Sequence, residues 1–232
     1  MHDFIVIGSG FGGSVAALRL AEKGYSVLLI EKGKRYTPED FPKTNWNLRK
    51  YLWLPGLRFF GFQKLTFNRQ ASILSGTGVG GGSLVYANTL FHPPDDFFRH
   101  PAWNEFGDWK NILEPHYHRA AFMMGRTKYE RMNPEDTMLK QVAGQMGRAE
   151  TFDNVHVGVY LSEDKEEKDP YFEGLGPARK PCTECAGCMV GCREDAKNSL
   201  DKNYLYFAEK FGVEILAETR AVRIDYVDGE YI

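Results

Sequence analysis

The chain has no stretch approaching the roughly 18 consecutive apolar residues that a membrane-spanning helix needs. Its N-terminus, MHDFIVIGSG, also lacks the charged n-region and long apolar h-region of a secretory signal. Neither sign of charge dominates: 29 Lys and Arg stand against 31 Asp and Glu, which removes the electrostatic reason to expect nucleic acid as a partner. No cysteine occurs before Cys182, and all four lie between Cys182 and Cys192. Bridges among thiols so close together would close only short loops, and disulfides are rare in reducing compartments. These absences predict a cytoplasmic protein without a membrane span, a disulfide framework or a nucleic-acid partner. Ordinary apolar and charged content over 232 residues leaves a globular chain able to bury a core.

The N-terminal segment DFIVIGSGFGGSVAALRLAEKGYSVLLIEKG reads as a βαβ unit. It has a strand at Phe4 to Ile7, a glycine turn, a helix from about Gly12 to Lys23, a stop at Gly24, and a second strand at Ser26 to Ile30. Val15, Leu18 and Ala21 are expected on the buried helix face. The turn carries G-x-G-x-x-G as Gly8, Gly10 and Gly13, which serve a tight turn, close approach of backbone to a pyrophosphate, and close packing of helix on strand. The helix N-terminus then offers N–H groups and a positive dipole end to phosphates. Glu31 ends the second strand, where a carboxylate accepts hydrogen bonds from ribose hydroxyls. Lys32 and Gly33 follow, with no arginine placed for a 2′-phosphate. The pattern therefore predicts NAD or FAD rather than NADP.

A second glycine loop, ILSGTGVGGGSLVYAN, carries Gly76, Gly78, Gly80, Gly81 and Gly82 between apolar flanks. Glycine at this density serves positive φ or lets backbone approach a flat ligand. Here the chain resembles the glucose-methanol-choline (GMC) family of flavin oxidoreductases, in its cholesterol oxidase-like branch. Three segments carry the likeness: IVIGSGFGGSVAALRLAEKGYSVLLIEKG, SGTGVGGGSLVYAN and CAGCMVGCREDAKNSLDKNYL. The resemblance implies FAD as cofactor, with Phe11, Gly12 and Glu31 on its ADP half. It also implies that Gly82, Ser83 and the Tyr86 to Asn88 stretch lie beside the flavin. Thr77 stands where the family often has arginine, lysine, asparagine or cysteine, and Tyr86 where it often has asparagine or histidine. Asn88 is the candidate for the polar contact that Tyr86 does not supply.

The following ninety residues read as mostly helical. One helix carries Ile112, Ala120 and Met123, and a second is opened by Pro134 and closed by Gly147. His116 and His118, two residues apart on a helix, face different sides and read as surface residues rather than metal ligands. The run from Glu163 to Asp169 reads as a solvated loop. Trp46 to Lys64 interleaves aromatic and leucine side chains with Arg49, Lys50 and Arg58. That segment is expected to pack on the core or a partner, with weak membrane contact during sterol entry as the alternative.

Cys182, Cys185, Cys188 and Cys192 have the C-x2-C-x2-C-x3-C spacing of bacterial ferredoxins. Arg193 follows where ferredoxins have proline, and no further thiols exist for a second cluster. Zinc needs a spacer between two CxxC pairs, and none exists. No metal is favoured here, and an iron–sulfur cluster stays as the alternative. Beyond the cysteines, Ser199 or Asn198 is expected to cap a helix to Phe211, stopped by Gly212, with VEIL as a further sheet strand and an Asp228-Gly229 hairpin after it.

The expected fold is α/β: a Rossmann-like FAD-binding domain interrupted by the start of a substrate domain. The expected boundaries are 1–95 for the first FAD-binding part, 96–180 for the helical substrate part, and 181–232 for the return. The short returning hairpin arm suggests truncation, so a partner chain or a C-terminal half would complete the fold. By the resemblance, the catalytic histidine and its partner would lie in that half, and no catalytic residue is assigned within this chain. The expected function is oxidation of CH–OH groups in a sterol or another small-molecule alcohol. Two alternatives remain, an iron–sulfur-linked FAD dehydrogenase and a non-catalytic nucleotide-binding remnant.

Overall fold

In the computed structural model, which describes residues 1–227 and 229–231, the chain divides into two compact units. One is Met1–Ala87 with Tyr160–Ile232, and the other is Asn88–Val159. The division falls at 87/88 and 159/160 rather than at the expected 95/96 and 180/181. The segment after 159 belongs to the first unit because its backbone is bonded there. The Tyr160 amide donates to the Ala196 carbonyl (2.8 Å), and the Tyr160 carbonyl accepts from the Cys182 amide (2.7 Å). Arg179, only 2% exposed, donates to the carbonyls of Asp195 and Lys197 and to the Asn198 side chain.

The first unit starts with β1 (Phe4–Ile7), α1 (Phe11–Ala21) and β2 (Val27–Ile30). β1 and β2 are parallel, with Phe4 opposite Val27 and Ile7 opposite Ile30. Gly24, at φ 87°, ends the turn after α1 as expected. The buried face of α1 is Ser14, Ala17, Leu18 and Ala21, whereas the expected Val15 is 37% exposed. Small side chains on that face let a neighbouring helix approach closely.

Then come α2 (Leu48–Tyr51), β3 (Trp53–Leu54), β4 (Phe59–Phe60), β5 (Gln63–Phe67) and β6 (Ser72–Gly76). β3 pairs with β4 and β5 with β6, both antiparallel. Phe62, fully buried, joins Tyr36, Leu84 and Val85 in an apolar cluster against which Phe41 and Tyr51 pack. The Trp46 to Lys64 segment thus joins the core through Tyr51 and Phe62, while Trp46 and Leu57 stay exposed.

The second unit contains α3 (Asp95–Phe98), α4 (Trp109–Met123), β7 (Thr127–Lys128), α5 (Pro134–Gln145) and β8 (His156–Val157). Asp108 caps α4 by accepting from the Asn111 amide. Of the expected face Ile112, Ala120 and Met123, Met123 is buried and Ile112 is exposed. α5 opens at Pro134 with an Asn133/Asp136 capping box and is followed by Gly147 at φ 66°. β7 and β8 are antiparallel.

The chain returns to the first unit through α6 (Tyr204–Lys210), β9 (Glu214–Leu216), β10 (Tyr226–Val227) and β11 (Glu230–Tyr231). The expected continuous helix from Asn198 to Phe211 is interrupted. A 3₁₀ turn at Leu200–Lys202 ends at Asn203, whose backbone (φ −141°, ψ −94°) is not helical and whose side chain accepts from the Tyr204 amide to start α6. α6 packs on α1. β9 pairs in parallel with β2, so the sheet order is β1-β2-β9. β10 and β11 pair antiparallel; Asp228 of the expected turn lies outside the described residues. Among the described residues no helix is long and apolar enough to cross a membrane.

Candidate functional site

The glycine turn is shaped by contacts that a side chain would prevent. Gly8, at φ 95°, donates its amide to the Ile30 carbonyl (2.8 Å), so β1 and β2 stay paired up to the turn. A Cβ on Gly13 would overlap the Gly8 carbonyl oxygen. Gly10 occupies the N-cap of α1 with no side-chain cap, and the first intrahelical bond runs from the Ser14 amide to the Gly10 carbonyl (2.9 Å). The amides of Phe11, Gly12 and Gly13 precede that bond and point out of the helix end. No acidic residue sits in the first turn, so the positive end of the helix dipole stays uncompensated.

The second glycine loop lies directly on the first. Gly78, Gly80 and Gly81 have φ of 138°, 107° and 52°, and a Cβ on Gly81 would come within 2.7 Å of the Gly10 Cα. Glu31, 5% exposed, ties both loops together. Its carboxylate accepts from the Ser9 amide (3.1 Å), the Ser9 hydroxyl (2.8 Å), the Gly33 amide (2.9 Å) and the Gly78 amide (3.3 Å). The Ser9 hydroxyl in turn accepts from the Gly80 amide (3.1 Å). Glu31 is expected to accept from ribose hydroxyls; in the folded chain four donors of its own meet the carboxylate.

A cleft of about 370 Å³ runs between the loops, bordered by Gly8, Gly10, Glu31, Lys32, Gly81 and Gly82. Thr219 and Arg220 also border it, and sequence reasoning missed them. Nothing local marks Arg220. It arrives because β9 pairs with β2 and the chain beyond runs alongside residues 31–33, with the Thr219 amide donating to the Glu31 carbonyl and the Glu218 amide to the Gly33 carbonyl (both 2.9 Å). Burial, then the neighbouring Lys64 charge, lowers the Lys32 ammonium below its ordinary value.

Of the residues expected around the cofactor, Phe11, expected on the ADP half, comes together with Gly82 and Tyr86, expected beside the flavin. Phe11 is 47% exposed, its ring stands edge-on to that of Tyr86 at 6.4 Å, and a Cβ on Gly82 would sit 3.7 Å from it. Tyr86 turns its hydroxyl inward, donating to the Asn198 carbonyl (3.1 Å), and burial pushes its phenol well above the ordinary value. Ser83, fully buried, donates to the Gly80 carbonyl and accepts from the Leu200 amide, so its hydroxyl holds the loop. Asn88 opens the second unit at φ 61°, its carbonyl accepting from the Gly158 amide.

None of the four cysteines is in a disulfide, and Cys185 is exposed. The Cys182 sulfur accepts from the Glu184 amide (3.3 Å) and the Cys192 sulfur from the Lys197 amide (3.4 Å). Burial raises the Cys182 thiol above its ordinary value. Gln63 moors the loop by donating from its side chain to the Met189 carbonyl (2.9 Å), and Gly191 lies so close to the Phe41 ring that a Cβ would overlap it. Among the described residues no group of three or more His, Cys, Asp or Glu side chains is arranged to hold a metal ion.

Residues 6–37 match the NAD(P)-binding Rossmann-like domain model. The chain is 46% identical over 234 residues to a cholesterol oxidase of Acinetobacter baumannii, covering 99% of this chain and 42% of that protein. It is 27% identical to a GMC-type oxidoreductase of Mycobacterium tuberculosis (strain CDC 1551 / Oshkosh), covering 96% of this chain and 32% of that protein. Among solved structures it is similar in fold to pyridoxine 4-oxidase from Mesorbium loti, with TM-score 0.53 and 17% identity, covering 97% of this chain and 44% of that one. The chain therefore spans less than half the length of the proteins it matches.

Proposed function

We propose that this chain, a cholesterol oxidase-like member of the glucose-methanol-choline oxidoreductases, binds FAD in the cleft between its two glycine loops and serves oxidation of an alcohol at a CH–OH carbon. One observation carries the reading: the side-chain-free contact between Gly10 and Gly81 at the mouth of α1. It leaves a cradle where backbone amides and a helix N-terminus face a groove of about 370 Å³. The residues fit the group. Phe11, Gly12 and Gly13 supply N–H donors for the pyrophosphate, Lys32 and Arg220 supply positive charge at the rim, and Gly82 with Phe11 offers a flat approach for the flavin ring. Glu31 reaches a ribose only by exchanging one of its internal partners, the 3.3 Å bond from Gly78 being the longest. FAD, when bound, supplies the two-electron acceptor for the alcohol carbon's hydride. The chain's own part is to bind and orient: glycine amides, a helix end and a hydrogen-bonded carboxylate hold a cofactor and move no proton.

The kinship with a cholesterol oxidase favours a sterol among the alcohols. Trp46 and Leu57, exposed beside Arg49, Lys50 and Arg58, suit a surface that meets a partner chain or, weakly, a lipid interface. Titration of the purified chain with FAD, NAD and NADP tests the reading. Saturable binding of FAD with the absorbance of a protein-bound flavin is expected; preferential binding of NADP would overturn it.

A further inference from the structure

Lys197 is 2% exposed, and its ammonium is met by carbonyl oxygens. It donates to those of Leu84 (2.8 Å), Tyr86 (3.2 Å) and Cys188 (2.7 Å), and it lies 5.0 Å from the centroid of the Tyr86 ring. An ammonium has three donors, and these three acceptors use them all. Two belong to the end of the second glycine loop and one to the cysteine loop. The surrounding bonds repeat the pattern. The Tyr86 hydroxyl donates to the Asn198 carbonyl and the Leu200 amide to the Ser83 hydroxyl, while Arg179, itself buried, grips the Lys197 carbonyl and the Asn198 side chain from behind.

We propose that Lys197 is a positioning residue that clamps the Leu84–Tyr86 backbone to the cysteine loop and so fixes where Gly82 stands at the border of the cleft. In giving that stretch a cofactor role, the inference rests on the FAD reading; as a statement about the loop it stands on the three bonds alone. It assigns the cysteine-containing segment a job that needs no metal: its Cys188 carbonyl is one jaw of the clamp. A buried charge is costly unless hydrogen-bonded, so an apolar residue of similar length could fill the space but could not hold the two loops together.

The test compares the whole chain with Lys197→Met and Lys197→Arg, reading hydrogen exchange at the Val85 and Tyr86 amides against amides of β1 and α1. Lys197→Met is expected to lose at least tenfold protection at Val85 and Tyr86 with β1 and α1 unchanged, and Lys197→Arg to restore most of it. In the same proteins, FAD binding should weaken about tenfold in Lys197→Met and the bound-flavin absorbance should shift. Unchanged protection at Val85 and Tyr86, or an equal loss across β1, α1 and the loop, would overturn the clamp. If Lys197→Met does not fold, Lys197→Gln, which keeps N–H donors, carries the comparison, and its failure to fold would also count against a positioning role. Exchange needs no cofactor, so a wild-type chain that does not bind FAD would remove the FAD reading and leave the clamp decided by exchange.

Discussion

A Cβ on Gly81 would stand 2.7 Å from the Cα of Gly10, so the two glycine loops of this chain meet backbone to backbone. Gly81 also holds φ 52°, a region where other residues are strained by about 1–2 kcal/mol. Added to overpacking of about 1–3 kcal/mol, this predicts that Gly81→Ala loses about 2–5 kcal/mol of stability. Gly82→Ala, whose Cβ meets nothing closer than 3.7 Å, should lose less than about 1 kcal/mol. Urea denaturation of both variants decides; equal midpoints would mean the loops are not in contact.

Glu31 should matter before any ligand arrives. Glu31→Gln replaces one accepting oxygen by an NH₂ group, so at least one of the donors from Ser9, Gly33 and Gly78 is left buried and unpaired. That costs about 1–3 kcal/mol. The melting temperature of the cofactor-free chain should fall with FAD affinity. A variant that loses only affinity would instead make Glu31 a ligand contact and nothing more.

Ser9→Ala tests the same knot from the other side. The hydroxyl serves Glu31 and accepts from the Gly80 amide, so its removal should destabilise the chain by about 1–3 kcal/mol. Combined with Glu31→Gln the losses should be less than additive, because both act on one network. Strict additivity in the double-mutant cycle would argue that the two side chains act separately.

Lys197 makes stability depend on alkaline pH. Burial pulls its ammonium from 10.5 to about 8, against the opposing pull of Cys188, Cys192 and Asp201. Between these values the folded chain has released a proton that the unfolded chain still holds, so stability rises with pH across that window. The burial penalty is present in full below pH 8 and is relieved above it. Wild type should therefore gain on Lys197→Met as pH climbs from 8 to 10, by up to about 3 kcal/mol at 1.36 kcal/mol per pH unit. A difference that stays flat or falls would mean that the three carbonyl acceptors hold the ammonium's proton at least as firmly as water does.

For the cysteines, iron and acid-labile sulfide are expected well below stoichiometric after anaerobic purification, and Cys185→Ser, at an exposed position, should leave folding and FAD binding unchanged. Stoichiometric iron that disappears in Cys185→Ser would turn the loop into a redox relay.

The β1-α1-β2 unit was legible in the chain, because apolar spacing, the glycine turn and the stop at Gly24 are all local signals. The sequence also marked VEIL as a strand and the second loop as a place where backbone must come close. What those elements meet depends on how the chain folds back on itself. Gly10 meets Gly81, and Arg220 reaches the cleft because β9 pairs with β2. Glu31 is saturated by amides from both loops, and Lys197 joins segments more than a hundred residues apart in the chain. Neither the interruption before Asn203 nor the exposure of Val15 was legible locally, since hydrophobic periodicity says which face of a helix is apolar and not which neighbour covers it. A hydrogen bond between distant segments leaves no spacing to read, because its partners are set by how the chain folds back on itself and not by their separation along it.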